Sequence, residues 1–194
     1  MSTENFSKKF KIGVFGSAAG SNVEELKPLA RKIGEEIAKR GGILISGATR
    51  GLPYEAAMGA AEEGGMNIGF SPAISLDEHV DKYKNPVEPY ILVLTGMGQK
   101  GRNMISCRTC DAGIFISGRT GTMNEFTILY DDGEAGNVIG FLKGSGGVVD
   151  EYLINFTKTT EKPSQVKIVI EEDPAKLVEK IFEALDAGEI NKPA

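Results

Sequence analysis

The chain has 194 residues, of which 41% are apolar and 7% aromatic, and its 22 basic and 27 acidic side chains give a formal net charge of −5. That length and apolar content fit one α/β domain with one sizeable core and exclude a disordered chain. Two Cys and one His are too few for a disulfide scaffold or a zinc site, and the acidic balance offers no basic footprint for nucleic acid.

The opening MSTENFSKK lacks a hydrophobic secretory core, and no apolar run approaches the ~20 residues of a membrane helix. The expectation is a cytoplasmic protein with no membrane partner and a flexible tail over residues 1–9. The first strand is read at Phe10–Phe15 (FKIGVF), followed by Ile43–Ile45, a weaker run at Met66–Phe70, Ile91–Leu94, Ile114–Ile116, Val138–Leu142 and Val166–Ile170. Short continuous apolar runs of this kind suit parallel strands buried on both faces. Between them Leu29, Ile33 and Ile37 recur every four residues, as do Leu177, Ile181 and Leu185, which marks amphipathic helices. Pro28 predicts a helix start or kink, and Asp173-Pro174 supplies an N-cap and a first helical proline. The polar stretch Pro72–Pro89 reads as a long loop or as a short excursion with a helical turn, which Ser75-x-x-Glu78 would cap. The tail from Asn191 to Ala194 is expected to be mobile. Alternating strands and helices predict an α/β fold, a three-layer doubly wound Rossmann-like parallel sheet of about seven strands, with residues 10–190 as one domain.

Glycine is in excess, 25 of 194 residues or about 13% against a usual ~7%. Four clusters follow strands: Gly16-Ser17 with Gly20, Gly47-Ala-Thr49-Arg50-Gly51, Gly96 to Gly101, and Gly118-Arg119-Thr120-Gly121-Thr122. In a doubly wound sheet the ligand crevice lies beyond the carboxyl ends of the strands, so these loops mark a site. The last loop enters a helix, whose first amides suit a phosphate. Arg50, Arg102 and Arg119 lie in the same loops and offer forked recognition of anions. An acidic chain that concentrates arginines there is read as binding a phosphorylated small molecule, with no metal and no resident cofactor.

Gly96-x-Gly98-x-x-Gly101 follows a strand but a middle one, and the next strand ends in Ser117 rather than an acid, so the dinucleotide reading is set aside. Arg102-Asn103 in place of Lys-Ser/Thr removes the Walker reading. Thr122-x-x-Glu125 matches a capping box, and the pattern by itself favours that role over a carboxylate at the site. Cys107 and Cys110, at i and i+3, read as lining a buried face rather than as a redox pair. His79 reads as a solvated side chain in its polar loop.

The stretch from Arg102 to Glu125 resembles the Lonely Guy (LOG) family, once misnamed lysine decarboxylases. Arg102, then Asp111 before a strand, then Ser117-Gly-Arg-Thr-Gly121-Thr122-Met-Asn-Glu125 follow the order of that family's Arg, Asp and PGGxGTxxE signature. Gly47-Ala-Thr-Arg-Gly51-Leu52 is similar to its GGGSxGL segment, and Gly16-Ser17 to its first strand loop, so the likeness covers roughly residues 10 to 145. The resemblance implies a Rossmann-like nucleotide-binding fold, usually dimeric, and a phosphoribohydrolase that cleaves base from ribose 5′-phosphate with Arg102 and Glu125 as the catalytic pair. It places the phosphate or nucleotide on Gly16, Ser17, Gly47, Thr49, Arg50, Gly118, Arg119, Thr120, Gly121 and Thr122. The wider superfamily also holds molybdenum-cofactor carriers and relatives of the DNA-processing protein DprA, which implies a non-catalytic carrier of a phosphorylated cofactor as the alternative. The net charge and low aromatic content argue against single-strand DNA binding. The family's Pro-Gly-Gly becomes Ser117-Gly118-Arg119, and Leu-Met-Gly after Gly51 becomes Leu52-Pro53-Tyr54. An arginine at position 119 is expected to be strained if that position needs positive φ.

Overall fold

Runs of Ile, Val, Leu and Phe become parallel strands when helices cover both faces and remove their side chains from water. The computed structural model describes residues 9–162 and 164–190. The strands are β1 (Lys11–Gly16), β2 (Ile43–Ser46), β3 (Met66–Ser71), β4 (Ile91–Leu94), β5 (Ala112–Ile116), β6 (Val138–Leu142) and β7 (Lys167–Glu171). They form one sheet in the order β4-β3-β2-β1-β5-β6-β7, with every neighbouring pair parallel. This is the doubly wound α/β architecture expected from the alternation of elements. The expected mobile tails fall outside the described residues, Lys9 excepted.

The helices are α1 (Val23–Lys39), α2 (Leu52–Glu62), α3 (Gly98–Thr109), α4 (Thr120–Asp132), α5 (Ile154–Thr159) and α6 (Pro174–Ile190). Strand side chains alternate between faces, and two cores result. Ile12 and Val14 of β1 with Ala112, Ile114 and Ile116 of β5 pack against α1, α2 and α6. Phe15, Phe115, Ile139 and Phe141 pack on the other face with Phe126 and Leu129 of α4 and Leu153 and Ile154 near α5. The rings of Phe115, Phe126 and Phe141 meet at 5.8–5.9 Å between centroids, which fixes α4 on the sheet. No helix among the described residues is long and apolar enough to cross a membrane.

Three expectations need correction. Of the two readings of Pro28, a helix start or a kink, the start is excluded: Pro28 lies inside α1, because the buried stripe of Leu26, Ala30, Ile33 and Ile37 holds the helix through it. Burial on both faces fails at β4, an edge strand whose Ile91, Val93 and Leu94 are exposed. His79 is fully buried, not solvated. It sits in a π-helical turn, Glu78–Lys82, where its Nδ1 accepts from Ser71 Oγ at 2.7 Å and its Nε2 donates to the Pro86 carbonyl at 2.9 Å. The turn itself forms as read, with the Glu78 amide donating to Ser75 Oγ and the Ile74 amide to Glu78 Oε2.

Candidate functional site

Strand order reverses at β1: β2 lies on one side and β5 on the other, so the loops leaving β1 and β5 diverge and open a crevice. A hollow of about 480 Å³ occupies that place. Gly16 and Ser17 line it from the end of β1, and Gly47, Thr49 and Arg50 from the end of β2. Arg102 enters from α3; Arg119, Thr120, Gly121, Thr122 and Glu125 enter from the start of α4.

Gly118 is the one proposed site residue that does not line the hollow. Its amide donates to Ser17 Oγ at 3.0 Å, so it is not free for a phosphate, and its φ of 97° shapes the turn instead. Arg119 is extended, at φ −135°, so arginine at this position carries no backbone strain. Ser117 has φ 53°, which a proline ring forbids, so this loop cannot hold the family's proline in the same conformation. Arg119 is also the N-cap of α4, and no side chain caps that helix. The capping box is therefore not formed: Thr122 is the third residue of the helix, and Glu125 lies beside Arg102. The amides of Thr120, Gly121 and Thr122 are those a helix leaves unpaired; the three residues line the hollow, and the start of a helix carries partial positive charge.

Arg102 and Glu125 form a buried pair, with Nη1 3.5 Å from Oε1 and side-chain exposures of 6% and 10%. Arg102 Nε and Nη1 are buried and have no hydrogen-bond partner among the described residues. Such donors cost free energy unless a ligand or water accepts from them. Gly47 makes the placement possible, because a Cβ there would overlap the guanidinium. Burial pushes the Glu125 carboxyl up to about 7, against the pull of Arg102 and Lys100. Burial lowers Arg102 in turn, with Glu125 opposing; a guanidinium stays charged regardless. The site thus holds a carboxyl poised near neutrality against a fixed cation, a pairing suited to proton or charge management.

Asp111, part of the resembling motif, lies at the other end of β5, where it pairs with Lys11. Cys107 and Cys110 are buried, and burial raises both thiols, which leaves them inert core residues. No three His, Cys, Asp or Glu side chains gather to hold a metal among the described residues.

Several residues escaped the sequence reading. Lys100, Tyr83 and Asn85 line the hollow. Asn22 and Ser145 brace the loop after β5: Asn22 Nδ2 donates to Ser117 Oγ and the Ser145 carbonyl, and the Ser117 amide donates to Ser145 Oγ at 2.8 Å. The run Gly144-Ser-Gly-Gly147 after β6 was the available signal for that brace.

Sheet order, the reversal at β1 and a crevice there define a class: parallel, doubly wound α/β proteins with a crevice at the carboxyl ends of the strands. The chain belongs to the SLOG cluster4 family, whose sequence model matches residues 9–178. An uncharacterised protein of Archaeoglobus fulgidus is 33% identical over 129 residues, 66% of this chain and 78% of the other. A Moco carrier protein from Chlamydomonas reinhardtii superposes with a TM-score of 0.73 at 22% identity, covering 93% of this chain and 99% of that one. The DNA processing protein A of Helicobacter pylori, described by its single-stranded DNA binding, gives 0.59 at 14% identity over 90% and 80%. The two structural likenesses concern the fold, and with the family match they bear out the superfamily resemblance read from Arg102 to Glu125.

Proposed function

We propose that this chain binds a nucleoside 5′-monophosphate or a close relative in the crevice and hydrolyses the bond between base and ribose 5′-phosphate. The observation that carries the reading is the buried Arg102–Glu125 pair facing the hollow, with two guanidinium donors left without acceptors. The 5′-phosphate sits on the Thr120, Gly121 and Thr122 amides, with Arg119 or Arg50 assisting. As the C1′–N bond breaks, positive charge builds on the ribose, and the Glu125 carboxylate stabilises it and directs water to C1′. The water's proton passes to Glu125 as the C1′–O bond forms, the electron pair of the broken C1′–N bond leaves with the base, and the base takes a proton from solvent, to which Glu125 afterwards releases its own. Arg102 holds Glu125 and the substrate in place. Because Glu125 acts ionised and its pKa is about 7, turnover rises with pH through that value. Incubation with a panel of nucleoside monophosphates should release free base from at least one. Turnover that survives Glu125→Gln refutes the assignment.

A second reading is a carrier of a phosphorylated cofactor. Arg50, Arg119 and Lys100 add three cations to the same hollow, which suits a ligand with more than one anionic group. The named role of the Moco carrier neighbour agrees with it. Intact ligand retained through purification, identified by mass spectrometry and without base release, favours the carrier. Either reading includes a homodimer in the cytoplasm, with the dimer checked by light scattering.

A further inference from the structure

The hollow extends well beyond the phosphate end. Its lining runs from the start of α4, beside β5, to Pro72, Tyr83 and Asn85 beyond β3. Between β5 and β3 lie β1 and β2, so the strands that lead to the two ends stand three strand spacings apart, about 14 Å. That span suits a phosphate at one end and a planar heterocycle, carried on a sugar or similar spacer, at the other.

The far wall is built by the excursion between β3 and β4, and its shape is over-determined. His79 makes four bonds: its ring accepts from Ser71 Oγ and donates to the Pro86 carbonyl, its amide donates to the Ser75 carbonyl at 3.0 Å, and its own carbonyl accepts from the Asn85 amide at 3.2 Å. Within that clasp Lys84 adopts a left-handed φ of 56°, which a side chain pays for in strain. Tyr83 and Asn85, on either side of this kink, line the hollow together with Pro72 at the start of the excursion. Only two aromatic rings line it among the described residues, and Phe15 is sealed in the core at 1% exposure. Tyr83 is half-buried, with Lys82 Nζ 5.3 Å from its ring centroid. It is the ring available for stacking, and Asn85 is a neighbouring side chain able both to donate and to accept.

We propose that Tyr83 and Asn85 form the subsite that recognises the ligand's heterocycle, and that His79 is the positioning residue that holds them there. The inference rests on the reading of the crevice as a site for a phosphorylated heterocyclic ligand, and it deepens that reading by naming what selects the base. Tyr83 stacks on the ring, and Asn85 reads its edge.

The test compares two probes by calorimetry in the Glu125→Gln background, so that no bond breaks: adenosine 5′-monophosphate and ribose 5-phosphate, which has no base. Tyr83→Ala should weaken the nucleotide by about tenfold or more, as base–aromatic stacking predicts, and leave ribose 5-phosphate within twofold. Tyr83→Phe should retain the nucleotide affinity. His79→Ala should weaken the nucleotide alone, and its effect should vanish when Tyr83→Ala is already present. Should the histidine variant not fold, the two tyrosine variants decide. Equal loss for both probes, or unchanged nucleotide binding in Tyr83→Ala, overturns the subsite while the crevice reading stands. Failure of the parent background to bind either probe overturns both together.

Discussion

Strands β1 and β5 lie side by side at the centre of the sheet, and a buried or half-buried ion pair sits near each end of them. At the N-terminal end the Lys11 amide and Nζ both donate to Asp111 Oδ2 at 2.8 Å, with side-chain exposures of 33% and 19%. At the C-terminal end Arg102 and Glu125 are nearly sealed from water, 3.5 Å apart, with guanidinium donors unmet. The first pair is a satisfied structural contact. The second leaves burial uncompensated, which shifts Glu125 to about 7 and costs stability. Two pairs at opposite ends of the same two strands, the second carried on α3 and α4, thus teach what separates a fold contact from a site: the site's groups are held where the protein alone does not satisfy them.

Swapping the carboxylates' chemistry gives the widest contrast. Glu125→Gln should lower base release by about 10²–10⁴-fold, the usual contribution of such a group, whereas Asp111→Asn should leave it within twofold; steady-state assays of both variants decide. The next effect runs through geometry. Gly47→Val drives a side chain into the Arg102 guanidinium, and a shift of about 1 Å should cost turnover roughly 10²-fold with the far-UV spectrum retained. No comparable loss of turnover is expected from Gly41→Ala at the other end of β2, where no atom obstructs a side chain and the left-handed φ of 74° costs fold stability instead.

Stability against pH sharpens the comparison. The folded-state pKa of Glu125 is raised from 4.5 to about 7, so the folded protein binds a proton more tightly than the unfolded chain. Its contribution is therefore fully present below about 4.5 and is lost as pH rises through 7. Urea unfolding of wild type should show a decline on the order of 1–3 kcal/mol between pH 4.5 and 8 that Glu125→Gln removes. The smallest effect belongs to the N-terminal pair: Asp111→Asn should cost about 1 kcal/mol or less at pH 7, and less again in high salt.

Much of this arrangement was readable in the residues, and the remainder fails for identifiable reasons. Parallel strands announced themselves through apolar runs such as Ile114–Ile116, and the glycine loops at their ends located the crevice, because both signals are local. Pro28 does not mark the start of α1 because tertiary burial of one helical stripe outweighs one missing hydrogen bond. Thr122-x-x-Glu125 looked like a cap because the pattern does not reveal that the helix begins two residues earlier, at Thr120. His79 looked solvated because its partners Ser71 and Pro86 are invisible to periodicity. Asn22, Ser117 and Ser145 meet across separations of 95 and 123 residues, which no spacing rule brings together.

The central claim is that a phosphorylated ligand lies at the C-terminal end of β1 and β5 with its phosphate on the first turn of α4. A crystal structure of Glu125→Gln with adenosine 5′-monophosphate tests it most directly. The account predicts phosphate oxygens within hydrogen-bonding distance of the Thr120, Gly121 and Thr122 amides. A nucleotide seated at the Lys11–Asp111 end, or in the crevice with its phosphate turned away from α4, contradicts it.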